Sequence, residues 1–399
     1  MRALVTDGSY LHTLGIVRYL DKEAIEVSVI GTSKFDVSFH SKCCKKAIIG
    51  PNPMNEDSYI RFLKQVVQNE SFDILIPVGY QTAEIIAENK NMLEPSVKIE
   101  LAGYENIKTA LSKRESYELA EKLGVPHPKT VYPQTYGEVE EMACDLDYPA
   151  VIKGLFESGK TMVDYALSKK DLSIKYYKMC RQNNLREGTL PMIQEYIGND
   201  PCTYGFAALY QKGSCKRIFM HKEIRSYPIG GGSGTRLCSY YDSSLKEYGM
   251  RLLNALGWHG VALVEFKRRT SDDTFILMEI NPKFWASLDM ALRAGVNFPY
   301  YLCQIARGDE LEYSEEYNRN LRFHFPFSRE LEHMREKPTS VPRVILDTLN
   351  PKVKSNVSLS DFKPNFIELV FGLASLLPAR IRSLLKKMIK VGEDYGEKA

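Results

Sequence analysis

Glu265 and Glu279 each sit inside an apolar run, VALVEF at 261–266 and FILMEI at 275–280, and Asn281 follows directly after the second. A carboxylate in a strand core is costly unless a cation meets it. The polar RRTSDD stretch between the runs suits a hairpin. Antiparallel pairing would then set both carboxylates and the amide oxygen side by side. These are the hard oxygen donors that Mg²⁺ takes, above all Mg²⁺ shared with nucleotide phosphates. The bland alternative is a half-buried hairpin whose solvated face carries both glutamates.

The elements upstream decide between these readings. SKRESYELAEKLG at 112–124 has Ser112 as an N-cap and Glu115 three residues on, a capping-box signature, and ends at Gly124. Lys113 falls in the first turn, where the helix dipole disfavours a cation, so it is either solvated or turned toward an anion. Lys153 closes a strand, YPAVIKG at 148–154. GLFESGKT at 154–161 then matches the P-loop pattern in full. A P-loop has to feed straight into a helix whose N-terminal amides cradle phosphate. TMVDYAL at 161–167 reads instead as a second strand, with a helix over about 170–182. The expected element is a hairpin flap that closes over phosphates with its amides, Ser158 and Lys160. A P-loop NTPase using Gly159, Lys160 and Thr161 stands as the rival.

LPMIQEY at 190–196 is a further strand, and an antiparallel meander follows it to about residue 228. IGGGSGT at 229–235, between Arg225 and Arg236, is either an anion-binding loop or a plain surface loop. Helices are expected at 243–256, 286–295 and 297–309. Ahead of all this, RALVTD, EVSVIG, KAIIG, FDILIPVG and VKIELAG read as strands, with helices near 10–20, 58–68 and 82–88 between them. That alternation predicts a parallel α/β sheet. No GxGxxG follows the first strand, which argues against dinucleotide binding there. The turn at 6–9 either lines a substrate crevice or is a plain strand-to-helix turn.

Composition narrows the class. At 399 residues with 44% hydrophobic and 26% charged residues, two or three globular domains are expected. A net charge of +3, spread along the chain, argues against nucleic acid as the main partner. Eight scattered cysteines without a CxxC pair and seven dispersed histidines fit reduced thiols and no zinc site. No secretory signal is expected, and a cytoplasmic location is. Residues 366–391 are apolar at first and basic afterwards, with an uncharged run too short to span a bilayer. That stretch suits peripheral contact with a membrane surface, docking on a partner, or a helical hairpin packed on the protein's own core.

In order and type, these parts resemble the ATP-grasp superfamily of carboxylate-amine ligases over about residues 1–310. VEFKRR and FILMEINPKFW followed by AGVNFPYYL resemble its carbamoyl-phosphate-synthase-like members. The resemblance implies an α/β plus α+β, three-part fold. Its parts are an N-terminal parallel α/β domain (1–110), a small flap domain (111–190) and a larger antiparallel-sheet catalytic domain (191–330), with a helical C-terminal extension (331–399). It implies ATP between flap and large domain, with Lys113 and Lys153 on the phosphates. Gln194, Glu195, Tyr196 and Ile197 would form the hinge that reads adenine, largely through backbone, and Asp200 is the nearest candidate for the ribose. Glu265, Glu279 and Asn281 would hold Mg²⁺ or Mn²⁺. Lys283 stands where the family often has arginine, whose bidentate fork lysine does not reproduce. Arg225, Arg236 and Lys283 are the candidates for holding the substrate carboxylate and its phosphorylated intermediate, with His221 and Lys222 behind them. The implied activity is an ADP-forming ligation of a small-molecule carboxylate to an amine through an acyl phosphate, with no protein nucleophile. A homodimer is the assembly to check. A nucleotide-binding scaffold without turnover, attached through its C-terminal tail, is the rival from another class.

Overall fold

The structure is a computed structural model and describes residues 1–155, 162–198, 200 and 202–377. Ser158 and Lys160 of the expected flap loop, and the tail beyond residue 377, lie outside the described residues.

The first sheet is all-parallel. Its strands β1 (Arg2–Val5), β2 (Glu26–Gly31), β3 (Cys44–Ile49) and β4 (Ile74–Ile76) stand in the order β3-β2-β1-β4. β1 and β4 are near-continuous apolar runs, as a strand buried on both faces requires. The fifth expected strand, VKIELAG, is corrected. It makes one bridge, Lys98 to Ile74, and then turns Ile99, Leu101 and Ala102 into the core. Burying those three side chains draws the run off the sheet edge before a ladder can form.

The flap is antiparallel. β5 (Thr130–Val131), β6 (Ala150–Lys153), β7 (Val163–Ala166) and β8 (Met192–Glu195) stand in the order β5-β8-β6-β7. Lys153 pairs with Val163, so the chain returns from GLFESGKT as a strand, and among the described residues β7 stands where a P-loop would continue as a helix. The helix Lys169–Asn183 follows, with the Ser168 hydroxyl accepting from Asp171 N at 3.2 Å and Asn184 closing it in the left-handed region.

The large sheet holds β9 (Thr203–Gln211), β10 (Ser214–Tyr227), β11 (Ser233–Ser239), β12 (Gly260–Arg269), β13 (Thr274–Asn281), β14 (Arg322–His324) and β15 (Val353–Ser355). Their order is β13-β12-β9-β10-β11-β14-β15, antiparallel except for the last pair. The C-terminal extension, expected to be helical, also contributes one short strand, because Val353 to Ser355 take up the open edge of β14. The helices Arg329–Glu336, Val341–Leu349 and Phe362–Ser375 surround it.

Strand alternation distributes the core. Tyr204, Phe206, Ala208 and Tyr210 of β9 point into one cluster with Leu4 and Leu75, while Ala207 and Leu209 point into the other with Val5 and Ile76. The parallel sheet and the large sheet therefore share both hydrophobic cores. The flap packs a separate cluster that includes Ile152, Ala166, Tyr176 and Ile193.

Arg225 and Arg236, expected at the substrate, are used elsewhere. They are direct cross-strand neighbours, and register shifts flank Arg225 on both sides. Such an irregularity re-aims a side chain. Asp347 lies between them, accepting from Arg225 Nη2 at 2.6 Å and Arg236 Nε at 3.1 Å. Arg225 Nη2 also donates to Glu330 at 2.7 Å, and Glu330 is 0% exposed. These pairs pin the C-terminal helices to the sheet. Arg225→Ala leaves the Glu330 carboxylate buried without its counter-charge and should lower the unfolding free energy by about 3–5 kcal/mol. Chemical denaturation measures this, and a loss below 1 kcal/mol (roughly the range of an exposed pair) would contradict it.

Candidate functional site

β12 and β13 pair with Glu265 directly opposite Glu279, and Leu263 opposite Asn281. Directly opposed residues share a face of the sheet, so both carboxylates leave it together. The Asn281 side-chain N–H donates to Glu279 Oε1 at 3.0 Å and Glu265 Oε1 at 3.4 Å. Lys113, 5% exposed, brings Nζ to 3.8 Å from Glu279 Oε2. The anion that its helix-dipole position demanded is this carboxylate. Ser112 caps the helix Lys113–Lys122 by accepting from Glu115 N at 3.3 Å. Glu115 accepts from Thr109 Oγ1 at 3.0 Å.

A cleft of about 340 Å³ opens over the pair, between the flap and the large sheet. It gathers Lys113 and Lys153, the hinge residues Gln194 to Ile197, Glu265 and Glu279. The Gln194 side chain donates to Tyr117 Oη and Thr130 Oγ1, each at 3.1 Å, and Glu195 accepts from Lys129 N at 3.0 Å and Arg269 Nη2 at 3.1 Å. Both side chains brace the end of β8, whose backbone at Gln194 and Glu195 is itself paired to β5 and β6, and Tyr196 and Ile197 follow it along the cleft wall. Gly230, Gly231 and Gly232 line the same cleft, and Tyr165 of the flap donates its hydroxyl to Gly230 O at 3.1 Å. The glycine loop is therefore part of the cleft wall.

The other expected residues are placed elsewhere. Asp200 accepts from Tyr204 Oη at 2.6 Å and Cys202 N at 3.0 Å, with Lys222 Nζ at 3.7 Å, and these three partners occupy it away from the cleft lining. His221 is buried beside Ser287 Oγ at 3.1 Å, and burial lowers its pKa to about 4, so its ring is neutral. Lys283 joins the carboxylate pair electrostatically: its charge lowers the pKa of both Glu265 and Glu279, and it also disfavours the charged form of His12.

Electrostatics separates the two glutamates. Burial, then Glu279 and Glu223, hold the Glu265 carboxyl well above the usual range, against Lys283 and Lys153. Burial would raise Glu279 too, but Lys113, Lys153, the Asn281 amide and Lys283 bring it below the usual range. Lys283 and Lys153 act on both carboxylates, and Lys113 and the Asn281 amide act on Glu279 besides.

Four residues escaped the sequence reading. Lys267 lines the cleft, and burial lowers its pKa. Glu223 of β10 stands near Glu279 and Arg329, with its pKa raised first by burial. Arg329 donates to Gly234 O at 3.3 Å and lies over the Phe325 ring at 4.2 Å. Buried His12 is close enough to feel Lys283 and Arg329. Strand parity could have flagged Lys267, two residues after Glu265. Nothing in the sequence near Arg329 links it to residues a hundred positions earlier.

No family model matches the chain. It is 21% identical over 316 residues to the N-terminal section of the carbamoyl phosphate synthase large chain of Methanopyrus kandleri, covering 73% of this chain and 53% of that one. The chain thus spans about half the length of that relative. In three dimensions it is similar to biotin carboxylase from Campylobacter jejuni, with a TM-score of 0.67 at 14% identity over 80% of this chain and 74% of that one. It is also similar to L-amino acid ligase from Bacillus licheniformis, with a TM-score of 0.61 at 14% identity over 76% of this chain and 73% of that one. A parallel α/β sheet that shares its cores with a large antiparallel sheet, with a flap over a lysine-and-carboxylate cleft, is the fold that the chain shares with these structures and the one expected from the ATP-grasp resemblance.

Proposed function

We propose that the chain is an ATP-dependent, ADP-forming ligase that joins a small-molecule carboxylate to an amine through an acyl phosphate. The observation that carries this reading is the opposed Glu265 and Glu279, lining one cleft under the flap with Lys113 and Lys153, with the Asn281 amide bonded to the carboxylates and Lys283 acting on them electrostatically. The likeness to a carbamoyl phosphate synthase chain, a biotin carboxylase and an L-amino acid ligase supports it. On this reading the domain limits are 1–110, 111–190, 191–330 and the C-terminal remainder.

The donor set fits Mg²⁺. Among the described residues no three His, Cys, Asp or Glu side chains converge as a metal cluster. Two carboxylates and an amide leave the remaining positions to phosphate oxygens and water, as Mg²⁺ prefers. The Glu265 carboxyl is raised by burial and by its acidic neighbours, and a bound dication would offset that acidity. Turning the Asn281 amide over presents its oxygen where its nitrogen now donates. Mg²⁺ held there supplies charge neutralisation to the phosphates. Mn²⁺ takes the same ligands.

The chain's own groups do the rest. Lys113 and Lys153 orient the phosphates, the hinge backbone holds the base, and the flap excludes water. Lys283 and Arg329 hold the substrate carboxylate, Arg329 in the role first given to Arg225 and Arg236. The γ-phosphoryl group passes to a carboxylate oxygen with release of ADP. The amine nitrogen then attacks the acyl carbon, phosphate leaves with the bonding pair, and the amine proton is lost to solvent. Positioning and charge, without a protein nucleophile, suffice for such a transfer.

An ADP-release screen over amino acids, small peptides and sugar acids tests the reading. With a responding pair in hand, Glu279→Gln should cut ADP release on the order of a hundredfold or more. Unaltered release would sink the metal assignment. Lys153→Ala should weaken binding of a fluorescent Mg-ATP analogue about tenfold, the loss of one charge-assisted contact. Arg329→Met should raise KM for the carboxylate far more than Kd for ATP, and equal effects on both would remove it from the carboxylate site.

A further inference from the structure

The helix Phe362–Ser375 is amphipathic with its polar side inward. Asn365 is 0% exposed and accepts from Arg18 Nη2 at 3.0 Å, while Glu368, 4% exposed, accepts from Ser328 Oγ and Asn356 Nδ2, each at 2.8 Å. Gly372 lies so close to the Phe327 carbonyl that a Cβ would come within 2.0 Å of it. This side is tied down by hydrogen bonds and backbone contact. The opposite side carries Phe362, Phe366, Val370 and Leu373, spaced to form one helical stripe, and they are 40, 54, 47 and 49% exposed. A stripe of that kind marks an interaction surface.

Charge along the same segment is sorted by sign. Between residues 341 and 377 the exposed charged side chains are Arg343, Lys352, Lys354 and Lys363, all cationic. The acids there turn inward: Asp347 onto Arg225 and Arg236, Asp361 onto Arg18, and Glu368 onto its amide and hydroxyl partners. The sequence beyond continues the theme, since RIRSLLKKMIK at 380–390 has five cations and no acid.

We infer that this C-terminal face seats on an anionic lipid bilayer. The apolar stripe enters the boundary between headgroups and acyl chains, and the cations meet the lipid charge. A second copy would set two cationic faces against each other, and the chain's own basic tail would lay cations over cations. Among the described residues no helix is long and apolar enough to cross a membrane, so the contact lies in the interface plane. It is independent of the proposed chemistry.

Flotation of the full chain with vesicles tests the inference. The chain should bind phosphatidylcholine vesicles containing roughly one-third phosphatidylglycerol at least about tenfold more tightly than phosphatidylcholine alone, and high salt should weaken that binding. The double variant Phe366→Ser, Val370→Ser should lose about tenfold or more of the binding, while its Tm without vesicles stays within about 1 °C of the parent. Failure to bind anionic vesicles, or binding that the double variant leaves intact, overturns the proposal. A Tm loss of several degrees, or a dimer that the variant dissociates, also overturns it, because the stripe is then covered by the chain itself or by a second copy.

Discussion

Two carboxylates set opposite each other on neighbouring strands repel, and much of the structure around them answers that repulsion. Like charges about 4 Å apart cost roughly 4 kcal/mol even at the screened dielectric of a protein surface. Glu265 and Glu279 are directly opposed across β12 and β13, with Glu223 adding a third acidic group nearby. Three pieces of chain meet it: the helix start at Lys113, the flap strand end at Lys153, and the end of β13 with the turn after it, which carries the Asn281 amide and Lys283. Because these come from different domains of the proposed division, the acidic pair is also what the domains converge on. Lys153 and Lys283 act on both carboxylates, while Lys113 and the Asn281 amide act on Glu279 besides.

The distribution of apolar side chains sets the mechanics. The parallel sheet and the large sheet share two hydrophobic clusters, while the flap has its own. A segment with an independent core meets the rest through a polar cleft and can be displaced without exposing the main core. Gln194 and Glu195 are fixed by side-chain contacts and by strand pairing on both sides, so the strand end that leads to Tyr196 and Ile197 is held in place. The Tyr165 contact with the glycine loop is the point where flap and large sheet touch across the cleft. At the far edge of the large sheet the same logic serves stability, with Asp347 and Glu330 neutralising two adjacent arginines and anchoring the C-terminal helices.

Much of this was legible in residue patterns. Strand β12 and strand β13, the helix from Ser112, the parallel α/β rhythm and the hairpin behind GLFESGKT follow from period-two and period-3.6 spacing and from capping residues, which are local properties. The resemblance to ATP-grasp proteins then placed the lysines, hinge and carboxylates, and the cleft brings those residues together. The errors share a cause. Arg225 and Arg236 flank a glycine loop, which marks an anion site in one dimension. A register shift and two acids from more than a hundred residues away decide otherwise. VKIELAG has the composition of a strand, yet burial of Ile99 and Leu101 outweighs the ladder.

The sequence by itself determined most of the elements and the hairpin that sets Glu265 opposite Glu279, because each rests on neighbours within a few residues. Tertiary structure alone decided which cations face that pair, that Arg329, Glu223, Lys267 and His12 belong to its surroundings, and that the helix Phe362–Ser375 turns its polar side in and its phenylalanines out. Those outcomes depend on charge and burial summed over segments distant along the chain, and no local period encodes such a sum.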